Sequence, residues 1–174
     1  MTSIDTVFAS LAARKAWDIR LPGFIDREDT VPRFTPLADT AYVALDKGYL
    51  RLESTGNFGQ LAMRIVAAPG FPKVLEEEEE EFSLASYGHL FFADAHSDFR
   101  ITRIRYALNG ESTPGRGTVR CAEFEFEHTW PLFVDPGYHF GIRLEGAGAF
   151  DRWLADNQDP ASPLGPARSL TWSP

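Results

Sequence analysis

Tyr138, Phe140, Ile142 and Leu144 take every second place in the stretch 138–145, with His139, Gly141, Arg143 and Glu145 between them. Successive side chains of a strand point to opposite faces. The spacing therefore predicts a core strand with one apolar and one polar face, led in by Asp135-Pro136-Gly137 and ended by Gly146. The same period of two recurs upstream. Val43 and Leu45, a turn at Asp46-Lys47-Gly48, and then Leu50 and Leu52 predict a hairpin. Leu61, Met63 and Ile65 against Gln60 and Arg64 predict a strand within 58–66, stopped by Pro69-Gly70-Phe71-Pro72. Phe82 and Leu84 predict another. Residues 99–108 place Ile104, Tyr106 and Leu108 in phase, opposite Arg103 and Arg105. Residues 118–128 read as one strand, with Ala122, Phe124 and Phe126 inward and Glu123, Glu125 and Glu127 on a solvated face.

The flanks read differently. Ile4, Val7, Phe8 and Leu11 lie at helical spacing behind Ser3, which predicts a capped helix over 4–15 packed on the sheet. Pro22, Gly23, Pro32 and Pro36 predict a wandering connection over 21–37. Phe150 to Leu154 predicts one or two helical turns. The proline-rich tail after Asp159 is held only if Trp172 anchors it. Seven or eight short strands at hairpin spacing, without long helices between them, predict a mainly β fold: an antiparallel, jelly-roll-like β-sandwich with a short N-terminal helix. One domain is expected, with the helix and connection in 1–38, the sandwich in 39–146, and a turn and tail in 147–174.

Composition adds little to that picture: 44% hydrophobic and 24% charged residues are ordinary for a globular chain. The single cysteine, Cys121, excludes an internal disulfide framework and a cysteine-built zinc site. Asp5, Arg14 and Lys15 interrupt the start of the chain, so no secretory leader is read there, and no stretch approaches the roughly 20 apolar residues of a membrane helix. A cytoplasmic location and no membrane are expected. The net charge of −8 is concentrated in the block Glu76, Glu77, Glu78, Glu79, Glu80 and Glu81. An acidic chain of this kind excludes nucleic acid as the expected partner.

Asp94, His96 and Asp98 are metal-ligand types, but neighbours along one extended segment do not converge on one ion. His128 and His139 could meet across adjacent strands, yet the spacing around Gly137 and His139 does not fit a cupin metal motif. These five are candidates only; no metal and no cofactor is predicted. A Gly-x-Ser-x-Gly elbow and a phosphate-binding glycine loop are missing, and Cys121 sits inside a strand, where a thiol is inert. No catalytic residue is predicted.

The six glutamates have two readings. One is a solvated run on a loop or edge strand. The other is a docking surface whose self-repulsion a cationic partner would relieve. Gly48-Tyr49-Leu50-Arg51-Leu52, the strand from Gly59 to Val66, Glu81-Phe82-Ser83-Leu84 and the segment from Pro136 to Gly146 resemble small β-sandwich proteins of high-GC bacteria. These are of the competence protein J type of nuclease inhibitor and of some immunity proteins. The resemblance implies a non-enzymatic protein that blocks a basic toxin or nuclease. Glu76 to Glu81, helped by Glu123, Glu125 and Glu127, would be the partner-binding surface. The alternatives are a metal-dependent jelly-roll enzyme or small-ligand binder, and a structural subunit of a larger assembly.

Overall fold

The computed structural model describes residues 2–28, 30–57, 59–77, 81–94, 97–138 and 141–174. In chain order the elements are α1 (Ile4–Ala12), β1 (Lys15–Asp26), β2 (Arg33–Pro36), β3 (Thr40–Leu45), β4 (Tyr49–Thr55), β5 (Gln60–Val66), α2 (Lys73–Glu77), β6 (Phe82–Ser86), β7 (Phe99–Leu108), β8 (Thr118–Val119), β9 (Cys121–Phe126), β10 (Leu132–Tyr138), β11 (Gly141–Glu145), α3 (Ala149–Asp156) and β12 (Arg168–Trp172). The fold is mainly β, with a short N-terminal helix. One large antiparallel sheet runs β11-β10-β9-β7-β1-β3-β4-β5-β8, with β2 and β6 added to β1 and β12 added to β7.

Ser3 caps α1 by accepting the Thr6 N–H at 3.3 Å. The helix ends at Ala12, short of the expected Lys15, because Lys15 already pairs with Arg100 as the first residue of β1. Ile4, Val7, Phe8 and Leu11 are all buried, each such side chain contributing about 1.5–3 kcal/mol. The hairpin β3–β4 is as the alternation predicts, with Gly48 at φ 79° closing it.

The expected connection over 21–37 is instead the hub of the sheet. β1 holds β3 and then β2 along one edge, and β7 and then β6 along the other. Pro22 is tolerated because its missing N–H falls in the gap where β3 pairing ends at Arg20 and β2 pairing begins at Gly23. Its carbonyl accepts the Leu37 N–H at 2.8 Å.

Three further expectations change. The stretch around 138–145 is not one core strand but the end of a hairpin: Tyr138 pairs with Gly141, and β11 lies at the end of the sheet path. Leu132, Phe133 and Val134 of β10 are the fully buried residues there, while Ile142 and Leu144 are half-buried. Residues 118–128 do not form one strand either. The chain bends at Arg120, leaving β8 paired with β5 and β9 paired with β7 and β10. Finally, the outer face of β7, β9 and β10 is not wholly wet. α3 lies over it and builds a second core from Phe150 and Trp153 against Ala107, Cys121 and Phe133.

The tail is held. β12 pairs with β7 from Arg168 to Trp172, and the Trp172 ring packs 5.6 Å from Phe8. Strands from both halves of the path share the main core, in which Leu50, Leu52, Leu61 and Met63 join Ile104, Phe124, Leu132 and Val134. No described helix is long and apolar enough to cross a membrane.

Candidate functional site

The bend between β8 and β9 puts a charged side chain where two apolar strands meet. The Arg120 N–H donates to the Ala107 carbonyl at 2.8 Å, which fixes the bend. Its side chain, 12% exposed, turns toward β10, where Nη1 donates to Asp135 Oδ1 at 2.9 Å. Asp135 is itself 5% exposed. The same oxygen accepts the Gly137 N–H at 3.0 Å, and Oδ2 faces Arg143 at 3.5 Å. The guanidinium lies 5.0 Å over the Trp153 ring of α3. Burying a charge this deeply is costly unless it is paired and hydrogen-bonded. Here an aspartate and an indole face hold the plane from behind. Arg120 Nε and Nη2 have no acceptor among the described residues.

Arg120 is part of the lining of a cavity of about 520 Å³. Pro136 and Gly137 of β10 form part of its floor. Ser54 comes from the end of β4, Asn57 and Gly59 from the β4–β5 turn, and Asn109 from just after β7. The chain after α3 supplies Asn157, Ser162 and Leu164. Gly59 carries φ +65°, and a Cβ there would lie 2.3 Å from the Gly137 Cα, so the two backbones come together only because residue 59 is glycine. Ser54 Oγ donates to the Pro136 carbonyl at 2.8 Å. Asn109 is oriented by Gln60 Nε2 at 3.1 Å, and Ser112 Oγ bonds both Gln60 and Asn109. The far wall is tied down by the Gly110 N–H to Leu164 O at 2.9 Å and by Asn157 Nδ2 to Trp153 O at 2.8 Å. Among the described residues, the lining holds hydroxyls, amides, an indole and one guanidinium, and no carboxylate, imidazole, amine or thiol. It can bind and orient; it offers no side chain suited to proton transfer near neutral pH.

The residues predicted as a partner surface are dispersed. Glu76 and Glu77 end the short helix α2 rather than lying on a loop or edge strand. Glu78, Glu79 and Glu80 lie outside the described residues. Glu81 is ion-paired with Arg27 at 2.6 Å, and its carbonyl accepts the Ile25 N–H. Glu123, expected on a solvated face, is 1% exposed. α3 covers it, and Arg105 holds it at 2.6 Å while reaching Asp151 at 2.7 Å. Glu125 is paired with Arg103, and Glu127 remains exposed. The two acidic groups also lie against different parts of β1: Glu81 is beside Ile25, whereas β7, which pairs with the strand of Glu123 and Glu125, meets β1 at Lys15 and Ala16.

The metal candidates do not assemble. Asp94 accepts from Ser97 Oγ at 2.5 Å, Asp98 is exposed, and His96 and His139 lie outside the described residues. His128 is 88% exposed in the β9–β10 turn. No three His, Cys, Asp or Glu side chains gather as a metal set among the described residues. A smaller cavity of about 180 Å³ brings Asp18, Ser86 and His89 together by type. Asp18 Oδ1 is already shared by Ser86 Oγ at 2.9 Å and the Gly88 N–H at 2.8 Å, and Oδ2 meets Arg20 at 2.5 Å. His89 stacks on Tyr87. Asp18 therefore fastens β1 to the end of β6.

Two carboxyls near α3 are displaced in opposite directions. Loss of solvation pushes Glu123 above the ordinary range, against the pull of Arg105, and its Oε2 has no hydrogen-bond partner. The Arg105 hydrogen bond holds Asp151 below its ordinary value. Burial pushes the Cys121 thiol far up, so it stays protonated and inert.

Sequence reasoning passed over Arg120. The available signal was a lone arginine between Val119 and Cys121, inside an apolar run, with Asp135 similarly placed after Leu132-Phe133-Val134. Comparison with protein-family models, curated proteins and solved structures gives no match.

Proposed function

We propose that this chain is a small-molecule binding protein and that the Arg120 cavity is its site. One observation carries the reading: a largely buried guanidinium, braced by Asp135 and Trp153, lines a half-open polar cavity, and its Nε and Nη2 have no acceptor among the described residues. Donors that meet no protein acceptor are free to pair with those a ligand supplies. The lining favours binding over catalysis. For the fold, the finer arrangement we propose is sandwich-like. Supporting it are the core shared by both halves of the sheet, the Ile142 N–H to Ala38 O bond at 2.6 Å and the Ser54–Pro136 bond.

The test is a thermal-shift screen of small polar compounds on the wild type and on Ser162→Trp, a rim substitution that fills the cavity while leaving Arg120 in place. Compounds that raise the wild-type midpoint should lose that effect in the variant. Equal shifts in both proteins would place binding elsewhere.

A second reading keeps the nuclease-inhibitor resemblance, on the surface around Glu76 to Glu81 alone. It is favoured by Phe71, 46% exposed and in edge contact with Phe82 beside the acidic helix α2, which gives an apolar contact next to acid. With a basic nuclease as partner, changing Glu76, Glu77, Glu78 and Glu79 to glutamine slows association and flattens its salt dependence. An unchanged on-rate would remove this surface.

A further inference from the structure

The proposed cavity leaves open which ligand chemistry it selects, and the Arg120 surroundings narrow this. A guanidinium presents parallel N–H groups along each edge. One edge donor, Nη1, is committed to Asp135, and the edge formed by Nε and Nη2 has no acceptor among the described residues. Two parallel donors in a plane match the two oxygens of a carboxylate. Trp153 lies against one side of the guanidinium, and Nη2 sits over the backbone of Gly137. Asp135 does not cancel the charge fully, since it also faces Arg143 at 3.5 Å.

Other anions fit less well. A phosphate dianion would bring twice the charge to one arginine, with the Asp135 carboxylate 2.9 Å behind it and no second cation in the described lining. An amino acid would need an anion for its ammonium group, and the described lining has none. The other polar side chains of the described lining are, with the Trp153 indole, amide and hydroxyl: Asn57, Asn109, Asn157, Ser54 and Ser162. Ser54, whose proton goes to the Pro136 carbonyl, can only accept; the amides and Ser162 both donate and accept, as hydroxyl groups of a ligand require.

Resting on the reading of the cavity as a binding site, we infer that its ligand is a small hydroxylated carboxylic acid, a sugar acid or hydroxy acid, whose carboxylate docks on the Nε/Nη2 edge of Arg120. Its hydroxyl groups meet the asparagines and serines, and the volume of about 520 Å³ accommodates a ligand of monosaccharide size or somewhat larger.

Isothermal titration of the full chain with glucuronate, gluconate, glucose and inorganic phosphate tests this. At least one acid should bind about tenfold or more tightly than glucose. Arg120→Lys keeps the charge beside Asp135 but removes the fork, and should weaken the acid about tenfold, more than it weakens glucose. If Arg120→Lys does not fold, as circular dichroism would show, Ser162→Trp replaces it and should abolish acid binding. Glucose matching the acids, or phosphate exceeding them, overturns the carboxylate assignment and leaves the cavity reading standing. Silence from both acids also overturns the assignment. Binding that neither variant alters overturns the cavity reading itself.

Discussion

Arg120 Nη2 lies so close above Gly137 that a Cβ on that glycine would fall 2.2 Å from it. The guanidinium reaches Asp135 and Trp153 at once because residue 137 has no side chain. Gly137→Ala should therefore displace Arg120 from both partners, costing about 1–3 kcal/mol and ligand affinity together. Gly59→Ala meets backbone rather than a movable side chain, and at positive φ, so its loss should be the larger of the two. Urea unfolding of both variants checks the order; a harmless Gly137→Ala would show that Arg120 is not held as described.

Asp135→Asn preserves shape and removes the charge that faces Arg120 and Arg143. Leaving a mostly buried guanidinium uncompensated should cost roughly 3 kcal/mol. The double substitution Asp135→Asn with Arg120→Gln should cost less than the sum of the single changes, because the two groups are in direct contact. Strict additivity in the denaturation cycle would contradict the pairing.

The α3 contact gives a pH signature. Unfolded, Glu123 loses its proton near pH 4.3, about the free value. In the fold, lost solvation makes it keep that proton to higher pH. The native state then binds more protons across the interval, so its stability falls as pH rises through it. Asp151 acts oppositely: its contribution is present above its unfolded value and is lost as pH falls through its lowered one. Stability of the wild type relative to Glu123→Gln should therefore decline as pH rises above about 4.3, read from unfolding at several pH values. A relative gain over that range would reverse the assignment.

The tail is expected to support the helix at the other end of the chain. Phe8 is fully buried between Tyr106 and Trp172, with ring centroids at 5.2 and 5.6 Å. Phe8→Ala should cost about 3–5 kcal/mol, and Trp172→Ala, at a half-buried site, about 1–3. Removing residues 168–174 exposes the β7 edge as well and should destabilise more than Trp172→Ala alone. Thermal unfolding of the three variants provides the comparison.

Legibility in the sequence followed how local each cause is. Gly48 between two alternating runs specifies the β3–β4 hairpin within a dozen residues, and Ser3 specifies a cap within four. β1 was hidden because its partners change along its length, so its buried positions, Ala16, Asp18, Ile19 and others, follow no single period. Glu123 alternates correctly with Phe124, and its burial comes from α3, more than twenty residues away. The period-two run through Tyr138 and Leu144 was real, but no local cue distinguished one strand from two joined by a tight return at Gly141, φ 112°. The cavity was the least legible feature: its walls come from segments near residues 54, 109, 120, 137 and 160, which only the closed fold brings together.

The most direct test of the central claim is a ¹H–¹⁵N NMR titration of the full chain with glucuronate, read at assigned backbone amides and at the Arg120 Nε–H. The account predicts shifts confined to Gly59, Asn109, Gly137 and Asn157, with slowed solvent exchange of the Arg120 Nε–H. Shifts clustered instead on α2 and Glu81, or an Arg120 Nε–H unaffected at saturation, would contradict it.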